Sequence, residues 1–328
     1  YTLSDNNYIA RQYGFDVQHE WDFRGGKDYF IAGVLGKRET YRTTSGPYYG
    51  NPHRNSYAIY GTYYYQINPK WTSILGLRYS DIKDPVKNQR VLIPQFQLEH
   101  RINKESSMYI NAGKAFRMPN LSDTFKKINK GYASVSGRNL KPEEGWNYEL
   151  GYKHITNKDS WKVALFYMDF KNFFSWKPDS NGKNTIRVNG GRYKNIGVEA
   201  QYGRKLTDRL KMTVGASYSN PKQREIDKTY WKQANPKLQF TGGIHYTSPK
   251  WIAGSSLNFV TKRMKNRDGG TNPNLVAWNA YVGYQFNEDS SLRLDARNLL
   301  NRNNVISNGD WEYWDEPFNY QLSYTQKF

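Results

Sequence analysis

Val276-Ala277-Trp278-Asn279-Ala280-Tyr281-Val282-Gly283-Tyr284-Gln285-Phe286 alternates without a break. Val276, Trp278, Ala280, Val282, Tyr284 and Phe286 occupy one set of positions, and Ala277, Asn279, Tyr281, Gly283 and Gln285 the other. Successive side chains of a strand point to opposite faces, so the segment presents one apolar face and one more polar face. Its length suits a tilted strand crossing a bilayer, which takes about 9–11 residues. The same alternation recurs in Leu210, Met212, Val214, Ala216 and Tyr218 against Lys211, Thr213, Gly215, Ser217 and Ser219. It recurs again in Tyr320, Leu322, Tyr324 and Phe328 against Gln321, Ser323, Thr325 and Lys327, with Gln326 the single polar interruption.

Composition agrees with this pattern. Only 37% of the 328 residues are hydrophobic, yet 16% are aromatic, including 28 Tyr and 10 Trp. A mean hydropathy of −0.91 would suit a disordered chain, but disordered chains are poor in aromatics. A membrane barrel resolves the conflict, because only alternate residues face lipid, the interior is polar, and aromatic girdles mark both interfaces. No apolar run approaches the roughly 20 residues that a membrane helix needs. There is no cysteine and hence no thiol or disulfide chemistry. The net charge of +19 points to an acidic partner: anionic lipid, nucleic acid or an anionic ligand. No charged–apolar–small leader opens the chain, which is read as a start inside a longer product or after a removed leader.

Periodicity predicts an all-β, transmembrane antiparallel β-barrel with about 15 strands in this chain. They lie near 8–22, 28–43, 55–67, 71–82, 90–101, 106–117, 145–156, 160–175, 186–205, 210–220, 237–247, 251–263, 275–286, 291–304 and 317–328. The segment 121–130 is expected to form one short turn of helix. Tight connections carry turn-forming residues: Arg24-Gly25-Gly26-Lys27, Asn68-Pro69-Lys70, Asn103-Lys104-Glu105, Asn157-Lys158-Asp159, Thr207-Asp208-Arg209, Ser248-Pro249-Lys250 and Asn287-Glu288-Asp289. Longer ones fall between them, near 44–54, 83–89, 118–144, 176–185, 221–236, 264–274 and 305–316. Short periplasmic turns alternating with long outer loops are the outer-membrane pattern. Trp71, Trp161 and Trp251 follow tight turns and read as an inner interfacial girdle. An odd strand count makes the first and last strands parallel, so either the count is off by one and the chain closes on itself, or the chain is part of a larger barrel whose closure needs another polypeptide segment.

Several motifs then resemble the TonB-dependent transporter family. Phe116-Arg117-Met118-Pro119-Asn120-Leu121 is similar to its F-R-x-P-x-L segment. Gly137-Arg138-Asn139-Leu140-Lys141-Pro142-Glu143 is similar to a shortened G-N-x-x-L-x-P-E. Glu149-Leu150-Gly151, Tyr167-Met168-Asp169-Phe170-Lys171-Asn172, Asn195-Ile196-Gly197-Val198-Glu199 and Ala296-Arg297-Asn298-Leu299-Leu300-Asn301 follow in the family's order, and Phe328 resembles its terminal aromatic. The motifs cover about residues 106–328; the first hundred residues fit as generic barrel. The resemblance implies a 22-stranded barrel with a plugged lumen, of which residues 1–328 would be the C-terminal barrel portion, with plug domain and TonB box outside this chain. It further implies an outer-membrane siderophore receptor. Its partners would be a plug-bearing N-terminal polypeptide or segment that completes the barrel, and a TonB-type energy-transducing protein acting through that plug.

No catalytic constellation appears, so an enzyme is not expected. His19, His53, His100, His154 and His245 are scattered without ligand spacing, which argues against a metal site. No cofactor is expected, and iron would be carried only as a ferric-siderophore substrate. The longer loops are basic and aromatic. Candidate ligand-binding residues are Tyr48, Tyr49, Arg187, Arg192, Tyr193, Lys222, Arg224, Trp231, Arg263, Lys265, Arg267, Trp311, Tyr313 and Trp314. Arg and Lys neutralise anions, and aromatic faces stack on flat groups and cations. An anionic ferric siderophore, especially a catecholate, would suit such a vestibule; the same cations also suit outer-membrane lipid and lipopolysaccharide phosphates. Arg117 and Glu143 flank the longest loop and are expected to anchor it as an ion pair. Gly113, Gly151 and Gly197 are expected to relieve crowding. The sequence therefore points to an importer. A passive porin with a charged lumen is the alternative, a barrel enzyme or adhesin ranks third, and nucleic acid is not an expected partner.

Overall fold

The computed structural model describes residues 8–43, 51–85, 87–121, 125–128, 131–134, 140–178, 185–234, 236–264, 270–306 and 313–327. Fifteen long strands form one antiparallel sheet in which chain neighbours pair in sequence. They are β1 (Tyr8–Phe23), β2 (Asp28–Thr43), β3 (His53–Asn68), β4 (Trp71–Lys83), β5 (Gln89–Arg101), β6 (Ser106–Arg117), β9 (Glu143–Ile155), β10 (Asp159–Pro178), β11 (Thr185–Lys205), β12 (Leu210–Ser219), β15 (Leu238–Thr247), β16 (Trp251–Thr261), β19 (Leu275–Gln285), β20 (Ser290–Arg297) and β21 (Asn319–Gln326). Six short strands ornament the long connections: β7 (Phe125–Ile128), β8 (Gly131–Ser134), β13 (Lys222–Arg224), β14 (Lys232–Gln233), β17 (Arg263–Met264) and β18 (Thr271–Asn272). Among the described residues β1 pairs only with β2, and β21 only with β20, so the sheet has two edges whose strands run in the same direction.

The tight turns form for a repeated chemical reason. Asn68 Oδ1 accepts from Lys70 N and Trp71 N at 2.9 and 3.1 Å. Asn103 Oδ1 does the same for Glu105 and Ser106, and Asn287 Oδ1 for Asp289 and Ser290. Thr156, Thr207 and Ser248 use a hydroxyl oxygen in the same way. Each side chain substitutes for a backbone acceptor and reverses the chain. At the first turn Arg24 and Gly25-Gly26 adopt positive φ. The Arg24 guanidinium there bonds Asp28 and the Gln66 carbonyl, and the Asp28 carboxylate holds its pKa above the ordinary arginine value.

Two expectations about elements are corrected. Of the segment 121–130, Leu121 is helical and residues 122–124 lie outside the described residues, but Phe125–Ile128 pairs with Gly131–Ser134 as the β7–β8 hairpin, Phe125 opposite Ser134 and Ile128 opposite Gly131, so no helix extends over it. Gly131 beside Asn129 and Lys130 suits a hairpin reversal better than a helix interior. The strand expected over 291–304 ends at Arg297. Asn298 and Asn301 take positive φ, and the Asn298 amide donates to the Arg302 and Glu316 carbonyls, which turns the chain out of the sheet.

Register shows that one face is apolar along the middle of the strands. From Val17 the outward row crosses Val34, Ile59, Tyr79 and Leu92 on successive strands. Leu150, Leu165, Val198 and Tyr218 form another such row farther round. These side chains stay exposed because lipid is their solvent; Leu165 and Ile196 are 53% and 59% exposed. The opposite face carries Asp16, Gln18, Gln95, Gln97, Asn111, Asn147, Glu149, Glu199 and Gln201 and faces the lumen. Trp71, Trp161 and Trp251 all lie on the apolar face at the short-turn end, each against a ring of the next strand: His100 at 4.2 Å, Tyr202 at 4.2 Å and Tyr284 at 4.7 Å.

Candidate functional site

The lumen face of β1–β4 reaches the long-loop end as a polar strip. Strand alternation places Gln12, Lys37, Glu39, Arg54, Arg78 and Ser80 on it together. With the segment Met118–Leu121 they enclose a cavity of about 700 Å³. Lys37 Nζ lies 3.2 Å from Glu39 Oε1, and Arg78 Nε donates to Ser80 Oγ at 3.1 Å. Arg54 is only 3% exposed. Its Nε donates to Asp84 Oδ2 at 2.9 Å and its terminal nitrogen to the Pro119 carbonyl at 2.8 Å. This arginine therefore fixes the cavity roof, while Lys37 and Arg78 keep half-buried cationic heads on its wall. A concave site with few polar groups on rigid strands is the usual form of a ligand pocket.

Three arginine or asparagine anchors hold the long connections over the lumen mouth. Arg117 Nε sits 2.7 Å from Glu143 Oε2, across the longest connection. The other Glu143 oxygen accepts from Phe174 N at 2.7 Å, and the Arg117 guanidinium lies 5.7 Å from the Phe174 ring centre. Arg263 donates to the Pro273 carbonyl at 3.0 Å and the Val305 carbonyl at 2.5 Å. It is 7% exposed, and burial lowers its pKa from the ordinary arginine value. Asn304 exchanges hydrogen bonds with the backbone of Val276. The final connection is thereby tied to β17, β18 and β19.

The residues expected to bind ligand separate into distinct places. Tyr193 faces the lumen and stacks on Phe173 at 5.7 Å. Tyr313 and Trp314 are exposed on the final connection, where Trp314 bridges Val305. Arg263 is turned inward and engaged with loop carbonyls, as above. Arg192, Lys222, Arg224 and Trp231 do not share Tyr193's face. Arg192 stands opposite Arg224 and Lys194 opposite Lys222, and Arg192 and Lys194 have the parity of Ile196, Val198 and Tyr202 on the outward face. The sequence groups them with the vestibule because Lys222, Arg224 and Trp231 fall in a long connection and Arg192 near a strand mouth; strand parity sends them to the other side of the wall. Tyr48, Tyr49, Lys265, Arg267 and Trp311, together with Phe328, fall outside the described residues, as does the side chain of Arg187. Conversely, Lys37, Arg54 and Arg78 went unremarked in the sequence. Their signal was available: each is a cation on the polar positions of an alternating strand, near its long-loop end.

The histidines remain dispersed: His154 meets Ser106, His245 meets Tyr281 and His100 meets Trp71. Among the described residues no three His, Asp or Glu side chains gather as a metal site.

Comparisons with known proteins agree with this architecture. Residues 1–299 match the family described as TonB dependent receptor-like, beta-barrel. The metal-pseudopaline receptor CntO of Pseudomonas aeruginosa (strain UCBPP-PA14) is 23% identical over 171 residues, covering 47% of this chain and 22% of that protein. The ferric-pyoverdine M114 receptor PbuA of Pseudomonas sp. (strain M114) is 22% identical over 219 residues, covering 60% of this chain and 26% of that protein. The solved structure of the copper transporter OprC superposes with a TM-score of 0.80 at 15% identity, covering 98% of this chain and 57% of that one. The chain thus spans about a quarter of the length of these curated relatives and little more than half of the solved neighbour. Such proteins are outer-membrane, multi-pass β-barrels, and receptors or transporters rather than enzymes. With its register, girdle and loop pattern, this chain belongs to the TonB-dependent receptor family, as β-barrel wall.

Proposed function

We propose that this chain forms the wall of an active outer-membrane importer of a ferric siderophore, and that the lumen-facing cavity under Met118–Leu121 is part of the ligand path. The observation that carries the reading is the placement of Lys37 and Arg78 on rigid strands facing that cavity. Although Lys37 is paired with Glu39, the cations lining the cavity outnumber its carboxylate, which favours an anionic ligand, and an anionic ferric catecholate is the finer form of the proposal. Tyr193 on the lumen face, and Tyr313 and Trp314 exposed on the final connection, would supply further stacking surfaces. A plug-bearing segment would complete the barrel along the free edges of β1 and β21, since unpaired backbone in lipid finds no water to bond. A TonB-type protein would act on the plug. Outer-membrane lipid and lipopolysaccharide would surround the wall.

The test is binding and uptake of a radiolabelled ferric catecholate by cells carrying the whole receptor. Lys37→Gln with Arg78→Gln should weaken binding about tenfold or more, a loss of roughly 1.4 kcal/mol. Uptake should stop when the inner-membrane proton gradient is collapsed. Undiminished uptake without that gradient, or unaltered binding by a correctly inserted double variant, would remove the proposal. Constitutive ion conductance by the whole receptor in planar bilayers would favour the passive porin instead.

A further inference from the structure

The short-turn end of the lumen carries a basic cluster that the cavity under Met118–Leu121 does not include. Strand parity puts Lys153 of β9, Lys162 of β10, Lys205 of β11 and Lys211 of β12 on the lumen face. Lys162 stands directly opposite Lys153, and Lys205 directly opposite Lys211. Side chains paired in this way have Cβ atoms about 4.5–5.5 Å apart, and like charges so placed destabilise a sheet. An anion between or above them would relieve that repulsion.

The neighbouring side chains do not supply it. Among the described residues none of these lysines has an ion-pair partner: Lys153 lies over the Tyr109 ring at 4.8 Å, and Lys162, Lys205 and Lys211 are exposed. Asp159, in the turn before β10, accepts from the Tyr202 hydroxyl at 2.7 Å and faces Arg204 at 3.8 Å on the outward side. Glu149 accepts from the Tyr109 hydroxyl, Glu199 lies opposite Ala164 and Ser217, and Asp208 is exposed in the turn between Lys205 and Lys211. Beyond Lys211 the row passes His245, bonded to Tyr281, and ends at Arg293, which Asp295 neutralises at 2.7 Å.

Between the two lysine pairs the wall is low. Gly203 stands opposite Ser160 and Thr213, so the floor there carries hydroxyls and no long side chain. Gln201, opposite Lys162, and Lys205 are separated along β11 by about 13 Å of strand. The first strands have the other sign at this end: Glu20 and Asp22 face the lumen from β1, and Glu99 from β5 beside Arg101. A cleft lined by one sign of charge concentrates ions of the other. An anion leaving by this end is therefore repelled along β1 and drawn to β9–β12.

We propose that Lys153, Lys162, Lys205 and Lys211 form a second anion site, at the periplasmic exit of the lumen, which takes the anionic cargo as it leaves along the β9–β12 wall. Lysine suits a site that must release what it holds, because its ammonium is a hydrated point charge on a flexible stem, without the bidentate fork of arginine. The inference rests on the import reading for the direction of travel. It adds where the route runs, and that the plug leaves this part of the wall uncovered.

The whole receptor in detergent is acylated with a lysine-reactive ester, alone and with either of two anions, a ferric catecholate or inorganic tripolyphosphate, and mass spectrometry reads each lysine. Lys162, Lys205 and Lys211 should label readily alone and lose most of their labelling with either anion, while Lys250, in a distant turn, is unchanged. In cells, K162Q/K205Q/K211Q should lower the maximal uptake rate of the ferric catecholate severalfold and leave its binding at the cell surface unaltered. K162R/K205R/K211R should keep most of the rate, and heat-modifiable migration on gels confirms an intact barrel in both variants. Tripolyphosphate needs no siderophore recognition, so protection by it without any catecholate uptake by the unaltered receptor removes the import reading alone. Lysines that fail to label without anion are covered by the plug, and lysines that label equally with and without anion are merely solvated; either result overturns the proposal. So does an intact glutamine variant that keeps its maximal uptake rate.

Discussion

Tyr109 lies flat across Gly151 on the lumen face of β6 and β9, and its hydroxyl bonds Glu149. A Cβ at Gly151 would overlap the ring, so the residue is glycine because an aromatic needs its space, a pairing that also pins register. Phe166 covers Gly197 in the same way, whereas the nearest atom to a Cβ at Gly113 is Gln95 Cγ at 3.8 Å, so that glycine relieves no crowding. Gly151→Val should destabilise the barrel by about 1–3 kcal/mol through forced displacement of the ring. Urea unfolding in lipid vesicles measures this, and a Tyr109→Ala background should recover most of the loss. An equal loss in both backgrounds would show that the ring is not the cause.

At the scale of elements, the longest connection is held at its ends by charge. Glu143 is 5% exposed and serves both Arg117 and the Phe174 amide, so β6, β9 and the end of β10 share one carboxylate. Glu143→Ala leaves a buried N–H without an acceptor, at a cost of about 1.5–3 kcal/mol for a bond to a charged group. Hydrogen exchange at the Phe174 amide should accelerate accordingly, while amides in the β15–β16 pair keep their protection. Exchange at Phe174 that does not change would assign the anchoring to Arg54 and its bond to Pro119 alone.

The whole molecule is organised by the bilayer. An outward charge is tolerated at the headgroups and costly in the belt, which explains why Arg192 and Lys194 stand where Leu165 and Val198 cannot be replaced by cations. Leu165→Lys should cost about 2–4 kcal/mol, whereas Trp161→Lys at the inner interface should cost roughly 0–1 kcal/mol. Unfolding in vesicles compares the two directly. Equal costs would show that the belt has been placed at the wrong height.

The strands were legible in the sequence because their signal is local: Val276–Phe286 and Leu210–Ser219 need only alternate neighbours to declare two faces, and Asn68, Asn103 and Asn287 turn the chain with their own side chains. Positive φ at Asn298, a bulge between Lys171 and Phe173, and the β7–β8 hairpin were not legible, since each depends on bonds to distant backbone or on how a long connection settles. The larger difference concerns the cations. In the sequence Arg192 and Tyr193 are adjacent and read as one site; in the sheet adjacency means opposite faces, so Tyr193 meets the lumen and Arg192 the outer leaflet. Lys37, Arg54 and Arg78, far apart in the chain, converge because β2, β3 and β4 bring equal parity to the wall of one cavity. The sequence alone determined that there is a barrel wall, how its strands alternate and which end carries the long loops. Only the tertiary structure decided which charges face the lumen and which face lipid, because that choice is made by register between strands, and register is a property of pairs.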